Sequence, residues 1–128
     1  GALGLMQVMP RTGRQTAKEL NLRWRGNNTL INPSTNIRIG SYYLAKQLER
    51  FGHPALATAA YNAGPHRVKQ WMPDESMPLD AWVASIPFTE TRNYVQRVLS
   101  AQVIYEWRYN DAITRLESVA ASQITKKE

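Results

Sequence analysis

A proton carrier, a nucleophile or a bound metal must come from a short list of side chains, and this sequence offers few of them. Cysteine is absent, which removes disulfides, thiol nucleophiles and thiolate metal sites together. His53 and His66 fall in different elements and do not make a helical metal pair. No serine sits in a nucleophile elbow, no glycine-rich run fits a phosphate, and no Asp/Glu cluster suggests a cation. Three polar insertions into apolar surroundings remain. Gln7 lies inside Leu5-Met6-Gln7-Val8-Met9, Tyr61-Asn62 ends an alanine-rich segment, and Glu90 stands between Phe88 and Tyr94. Each also has a purely structural explanation. Gln7 can bond a backbone carbonyl in the core. Asn62 can cap a helix end beside a core Tyr61, and Glu90 can complement a helix N-terminus. On these residues alone the chain reads as a basic helical domain with a polar cleft.

The elements that must position these residues are helices with short breaks. Arg11 to Leu20 reads as a short helix weakened by Gly13, and residues 21–31 read as a loop around Gly26-Asn27-Asn28. Asn32-Pro33 is a helix start, with Asn as cap and Pro where a missing N–H costs nothing. The stripe Ile37, Gly40, Leu44, Leu48, Phe51 then marks a buried face, and Gly52 stops the helix. Pro54 opens an alanine-rich helix that ends at Tyr61-Asn62-Ala63-Gly64, where Gly64 can take positive φ. One or two turns follow over Pro65–Trp71, a loop over Met72–Met77, and a short helix over Leu79–Ser85, closed by Pro87. Thr89 is placed to cap a long helix reaching about Tyr109, with Tyr94, Val98, Ala101 and Tyr105, flanked by Val95 and Leu99, facing the core. No segment alternates convincingly, so the fold class is all-α.

The 128 residues suit one domain, spanning 1–109, with 110–128 as a helical extension or tail. Hydrophobic residues at 43% and charged residues at 20% support a packed core. No apolar run approaches the roughly 18 residues of a membrane span. The net charge of +6 is carried entirely by residues 1–50. That excess fits an acidic partner or a solvated basic face. There is no Lys/Arg block and no nucleic-acid module, so nucleic acid is not expected as a partner.

Three ordered segments go further: Gly4-Leu5-Met6-Gln7-Val8-Met9-Pro10, Ala59-Ala60-Tyr61-Asn62-Ala63-Gly64-Pro65, and Ile86-Pro87-Phe88-Thr89-Glu90-Thr91-Arg92-Asn93-Tyr94-Val95. They resemble the motifs of the soluble lytic murein transglycosylases, as does Asn32-Pro33 leading into Asn36-Ile37-Arg38-Ile39-Gly40. The resemblance runs from residue 1 to about residue 108. It implies an all-α, lysozyme-like domain nearest to goose-type lysozyme. It also implies non-hydrolytic cleavage of peptidoglycan between N-acetylmuramic acid and N-acetylglucosamine, leaving a 1,6-anhydro sugar. One Glu would serve as acid and then base, the muramyl 6-hydroxyl being the nucleophile, so a second catalytic carboxylate is unnecessary, unlike the usual glycosidase pair. No cofactor or metal is implied, and the expected location is the periplasm.

Carried over position by position, Gln7, Met9, Ala60, Tyr61, Asn62, Glu90 and Tyr94 should bind the sugars. Tyr61 and Glu90 should also support catalysis. The acid itself belongs to a Glu-Ser motif upstream of the Gly-Leu-Met-Gln segment, whereas only Gly1, Ala2 and Leu3 precede Gly4 here, and Glu19 lies on another motif. The expectation is therefore a fragment, incomplete at its N-terminal side and inactive by itself. Apolar side chains near Ala2, Leu3, Leu5 and the alanine-rich helix should then be exposed. The alternatives are a goose-type muramidase using water and a catalytically inactive glycan-binding module.

Overall fold

The computed structural model describes residues 1–110, 119 and 121–127, and proline opens four of the seven helices bounded among these described residues. Each such proline occupies a first-turn position whose N–H has no intrahelical partner. The helices are α1 (Pro10–Glu19), α2 (Asn28–Ile31), α3 (Pro33–Phe51), α4 (Pro54–Ala63), α5 (Pro65–Trp71), α6 (Leu79–Ser85) and α7 (Thr89–Asn110). Two short strands, β1 (Met77–Pro78) and β2 (Gln123–Ile124), add an antiparallel ladder pairing Met77 with Ile124. The all-α expectation holds apart from this ladder, which is too short to show alternation. The chain divides into two compact units, Gly1–Glu49 and Arg50–Glu128.

In the first unit Val8, Ala17, Leu30 and Ile39 form the core, with Leu3, Met6, Leu20, Leu22 and Trp24 packed against it. The expected loop over residues 21–31 contains α2, because burying Leu30 winds Asn28–Ile31 into one turn. Leu30 also explains Gly13. A Cβ there would lie 2.9–3.2 Å from three Leu30 side-chain carbons, so glycine is what lets α1 approach α2. Asn32 caps α3 as expected, its Oδ1 accepting the Thr35 N–H at 3.0 Å.

The buried face of α3 keeps Gly40 of the expected stripe, and Phe51 is packed in the second unit, but the other positions differ. Asn36, Ile39, Gly40 and Gln47 are buried, while Ile37, Leu44 and Leu48 are exposed. A helical period finds a row of apolar residues but does not say which row faces inward. Here the three hydrogen bonds made by Asn36 decide it. Gln47 is carried inside by the same rotation, and its Oε1 has no hydrogen-bond donor among the described residues.

The second unit packs α4, α5, α6, α7 and β2 around Trp82, whose indole N–H donates to the Trp71 carbonyl at 2.9 Å. Ala55, Ala59 and Ala60 let the backbone of α4 approach its neighbours closely, and all are fully buried. The expected exposure of this alanine-rich helix is therefore not found, because α5, α6, α7 and Ile124 of β2 supply its cover. Exposure is found at Leu5, which is 73% accessible. His53 caps α4 by accepting the Ala55 N–H at Nδ1, 3.0 Å away. On α7 the core side is Thr91 and the expected flanking residues Val95 and Leu99, whereas Ala101 and Tyr105 of the expected stripe are exposed. Thr89 is the first helical residue and not the cap. The Phe88 carbonyl takes the first helical N–H, from Arg92, at 2.9 Å, and the Thr89 hydroxyl accepts from Arg92 Nη2 at 3.3 Å. Most of the expected 110–128 extension lies outside the described residues.

Candidate active site

Within the first unit, the segment carrying Gln7 is a tight reversal. Leu3 and Val8 exchange N–H···O bonds of 2.9 and 3.0 Å, and the Gln7 N–H closes the turn onto the Gly4 carbonyl at 3.0 Å. Two positive φ angles make this possible, +74° at Gly4 and +48° at Gln7. A Cβ on Gly4 would collide with the Asn36 side chain and sit 2.6 Å from the Leu30 carbonyl, so only glycine fits. Asn36, fully buried, ties the loop to α3. Its Oδ1 accepts the Met6 N–H at 2.8 Å, and its Nδ2 donates to the carbonyls of Leu3 and Leu30 at 2.9 and 3.0 Å. The loop therefore presents Gln7 and Met9 to solvent from a rigid base. Gln7 does bond a backbone carbonyl, that of Gly4 at 2.8 Å, but at the surface and not in the core.

Within the second unit, the other two motifs meet through one bond. The buried Thr91 hydroxyl donates to Asn62 Oδ1 at 2.8 Å, joining the last turn of α4 to the first turn of α7. Asn62 is thus not a C-terminal cap. The close of α4 is made by the Gly64 N–H to the Ala60 carbonyl, with Gly64 at φ +96°. Tyr61 and Asn62 are half-buried, Ala60 is fully buried, and Glu90 is exposed in the first turn of α7. Tyr94 is half-buried, and burial pushes its phenol up from the ordinary 10.0 against the opposing charge of Arg97. Arg92 holds the approach to α7, donating from Nη1 to the Ile86 carbonyl at 2.9 Å. Phe88 lies edge-on to Trp71 at 5.2 Å between ring centres, and the Arg67 guanidinium stands 4.5 Å over its ring.

Three residues that organise these clusters were not singled out from sequence: Asn36, Thr91 and Arg92. Their signal was present but weak. Asn36 and Thr91 are polar residues one turn from apolar ones on the same helix face, a pattern that also fits a solvated edge. Among the described residues no group of His, Asp and Glu could hold a metal ion.

The pinned Gly-Leu-Met-Gln reversal and the Tyr-Asn helix end bonded to a Thr-Glu-Thr-Arg helix start sit in a helical fold whose class, the lysozyme-like one, is given by its match to the transglycosylase SLT domain and to solved lytic transglycosylases. Comparison with known proteins gives the family. The profile described as the transglycosylase SLT domain matches residues 1–80, and that of the soluble lytic transglycosylase helical domain matches residues 85–112. The chain belongs to this transglycosylase family. The soluble lytic murein transglycosylase of Salmonella typhimurium is 46% identical over 82% of this chain and 17% of its own. Among solved structures, an inactive Glu-to-Gln mutant of a lytic transglycosylase from Pseudomonas aeruginosa matches with a TM-score of 0.78 and 47% identity. The match covers 86% of this chain and 18% of that one. A 70 kDa soluble lytic transglycosylase in complex with bulgecin A matches with a TM-score of 0.82 and 35% identity, over 97% of this chain and 21% of that one. The chain thus spans about a fifth of the length of these relatives.

Proposed function

We propose that the protein is a peptidoglycan lytic transglycosylase acting in the periplasm, to which this chain contributes most of the sugar-binding side of the catalytic cleft. The Asn62–Thr91 bond is the observation that carries this reading. It makes one local structure of two motifs that lie 29 residues apart in sequence. A Glu expected on the segment preceding Gly4 protonates the glycosidic oxygen as the bond from muramyl C1 to that oxygen breaks. The muramyl 6-hydroxyl then bonds to C1 and returns its proton to the same carboxylate. One carboxylate suffices because the substrate supplies the nucleophile, and the relative described as inactive carries a single Glu-to-Gln change. Gln7, Met9, Ala60, Tyr61, Asn62, Glu90 and Tyr94 hold the sugars, with the Tyr61 hydroxyl and the Glu90 carboxylate supporting the acid.

The test is product analysis of purified sacculi digested by the full-length protein. Anhydromuropeptides are expected. Reducing-end products, heavier by one water, would instead establish a muramidase. Binding without release of either product would establish an inactive glycan-binding module.

A further inference from the structure

Along α1, Arg11, Arg14 and Lys18 follow three- and four-residue steps and share one exposed face, opposite the buried Gly13, Thr16 and Ala17. The helix closes with a tight reversal. The Leu22 N–H reaches the Ala17 carbonyl at 2.8 Å and the Asn21 N–H reaches the Lys18 carbonyl at 3.2 Å, with Asn21 at φ +59°. This double closure folds Arg23 and Trp24 back beside the cationic face. Together these residues line a concavity of about 890 Å³ with four cations and one indole on its walls.

Nothing in this unit neutralises the four charges. Glu19, the acid of α1, is held by Lys46 at 2.7 Å, and among the described residues none of Arg11, Arg14, Lys18 or Arg23 has an ion pair. The α1 cations are spread over about 10 Å of helix, at 1.5 Å per residue. That spacing suits several anions carried on one polymer better than one small ion. Trp24 is half-buried against the first unit's core and adds a flat apolar wall. Single-stranded nucleic acid needs a groove with successive stacking rings, and here there is one ring in one concavity.

We propose that this concavity is a second binding site, lined by residues outside the cleft motifs, for the free carboxylates of peptidoglycan stem peptides. The cations pair with the carboxylates while the Trp24 indole packs on the adjoining aliphatic surface. The proposal rests on the transglycosylase reading for the identity of the polymer.

The test is co-sedimentation of the chain with purified sacculi freed of attached polymers. Native sacculi are compared with sacculi whose carboxylates have been amidated, and Arg14→Gln/Lys18→Gln is compared with the unmodified chain. Both substituted side chains are exposed, and a melting curve checks that the variant folds. Removing two exposed charge contacts is expected to weaken binding to native sacculi by about three- to tenfold. Amidation should produce at least as large a loss in the unmodified chain, and a smaller loss in the variant, which keeps only Arg11 and Arg23 of the four cations. If the unmodified chain binds native and amidated sacculi equally, the second site is overturned while the cleft reading survives. If it binds neither, both fall. A duplex oligonucleotide held more tightly than native sacculi, and lost with the same variant, would reassign the concavity to nucleic acid and overturn the proposal.

Discussion

Replacing Asn36 should cost the first unit more stability than any other single polar change in it. Asn36 is fully buried and makes three bonds to backbone, accepting from Met6 and donating to Leu3 and Leu30. In Asn36→Ala the Leu30 carbonyl is left in a buried position without that donor, which costs about 1–3 kcal/mol. The Met6 N–H and the Leu3 carbonyl are part-buried and partly recover with water, at about 1 kcal/mol each. The expected loss is therefore about 3–5 kcal/mol, a large share of the roughly 5–15 kcal/mol that holds a typical domain. Asn36→Asp separates the donor contribution from the acceptor. An ionised Asp still accepts from Met6 but faces two carbonyl oxygens at 2.9 and 3.0 Å. Its folded pKa is then raised above the unfolded value, so stability is present at acidic pH and lost as pH rises through the folded pKa. Denaturant melts followed by hydrogen exchange at Leu3 and Val8 provide the assay, since those two amides close the reversal. A loss below about 1 kcal/mol with both amides still protected would refute the idea that Asn36 pins the loop bearing Gln7.

The remaining predictions concern other single positions. Gly4→Ala should cost clearly more than Gly26→Ala. Both have positive φ, but a Cβ at Gly26 meets open space whereas one at Gly4 meets Asn36 and Leu30; equal melting temperatures would contradict this. Gln47→Met removes a buried oxygen that has no donor among the described residues and should stabilise by about 1 kcal/mol in denaturant melts, a drop in stability counting against it. Burial lowers the His53 pKa from 6.5, and its Nδ1 must stay unprotonated to accept from Ala55. Stability should be full above pH 6.5 and fall as pH drops through the lowered folded value, and His53→Asn should flatten that dependence in melting curves. In the full-length protein, Glu90→Gln should cut turnover on sacculi with little change in melting if Glu90 touches the sugar. As a helix-start charge alone it would contribute only about 0.3–1 kcal/mol to stability, and turnover would be untouched.

Breaks and element types were legible in the sequence because they are local. Proline at the starts of α3, α4 and α5, Asn32 as a cap, and Gly52 and Gly64 at helix ends act through their own backbone, and the structure shows each where it was expected. The family was legible too, because its three motifs are contiguous runs that need no fold to be seen. Tertiary structure decided which helix faces turn inward. Ile37, Leu44 and Leu48 make a better apolar row than Asn36, Ile39 and Gln47, yet the second row is buried. Two hydrogen bonds of the buried Asn36 reach 30 and 33 residues back along the chain, which no helical period encodes. The bond from Thr91 to Asn62 is of the same kind, and so is the placing of Ile124 in the second unit's core. A short-range pattern can say that a residue is polar at an apolar position. Only the partner's arrival from elsewhere in the chain makes that residue the one around which a site is built.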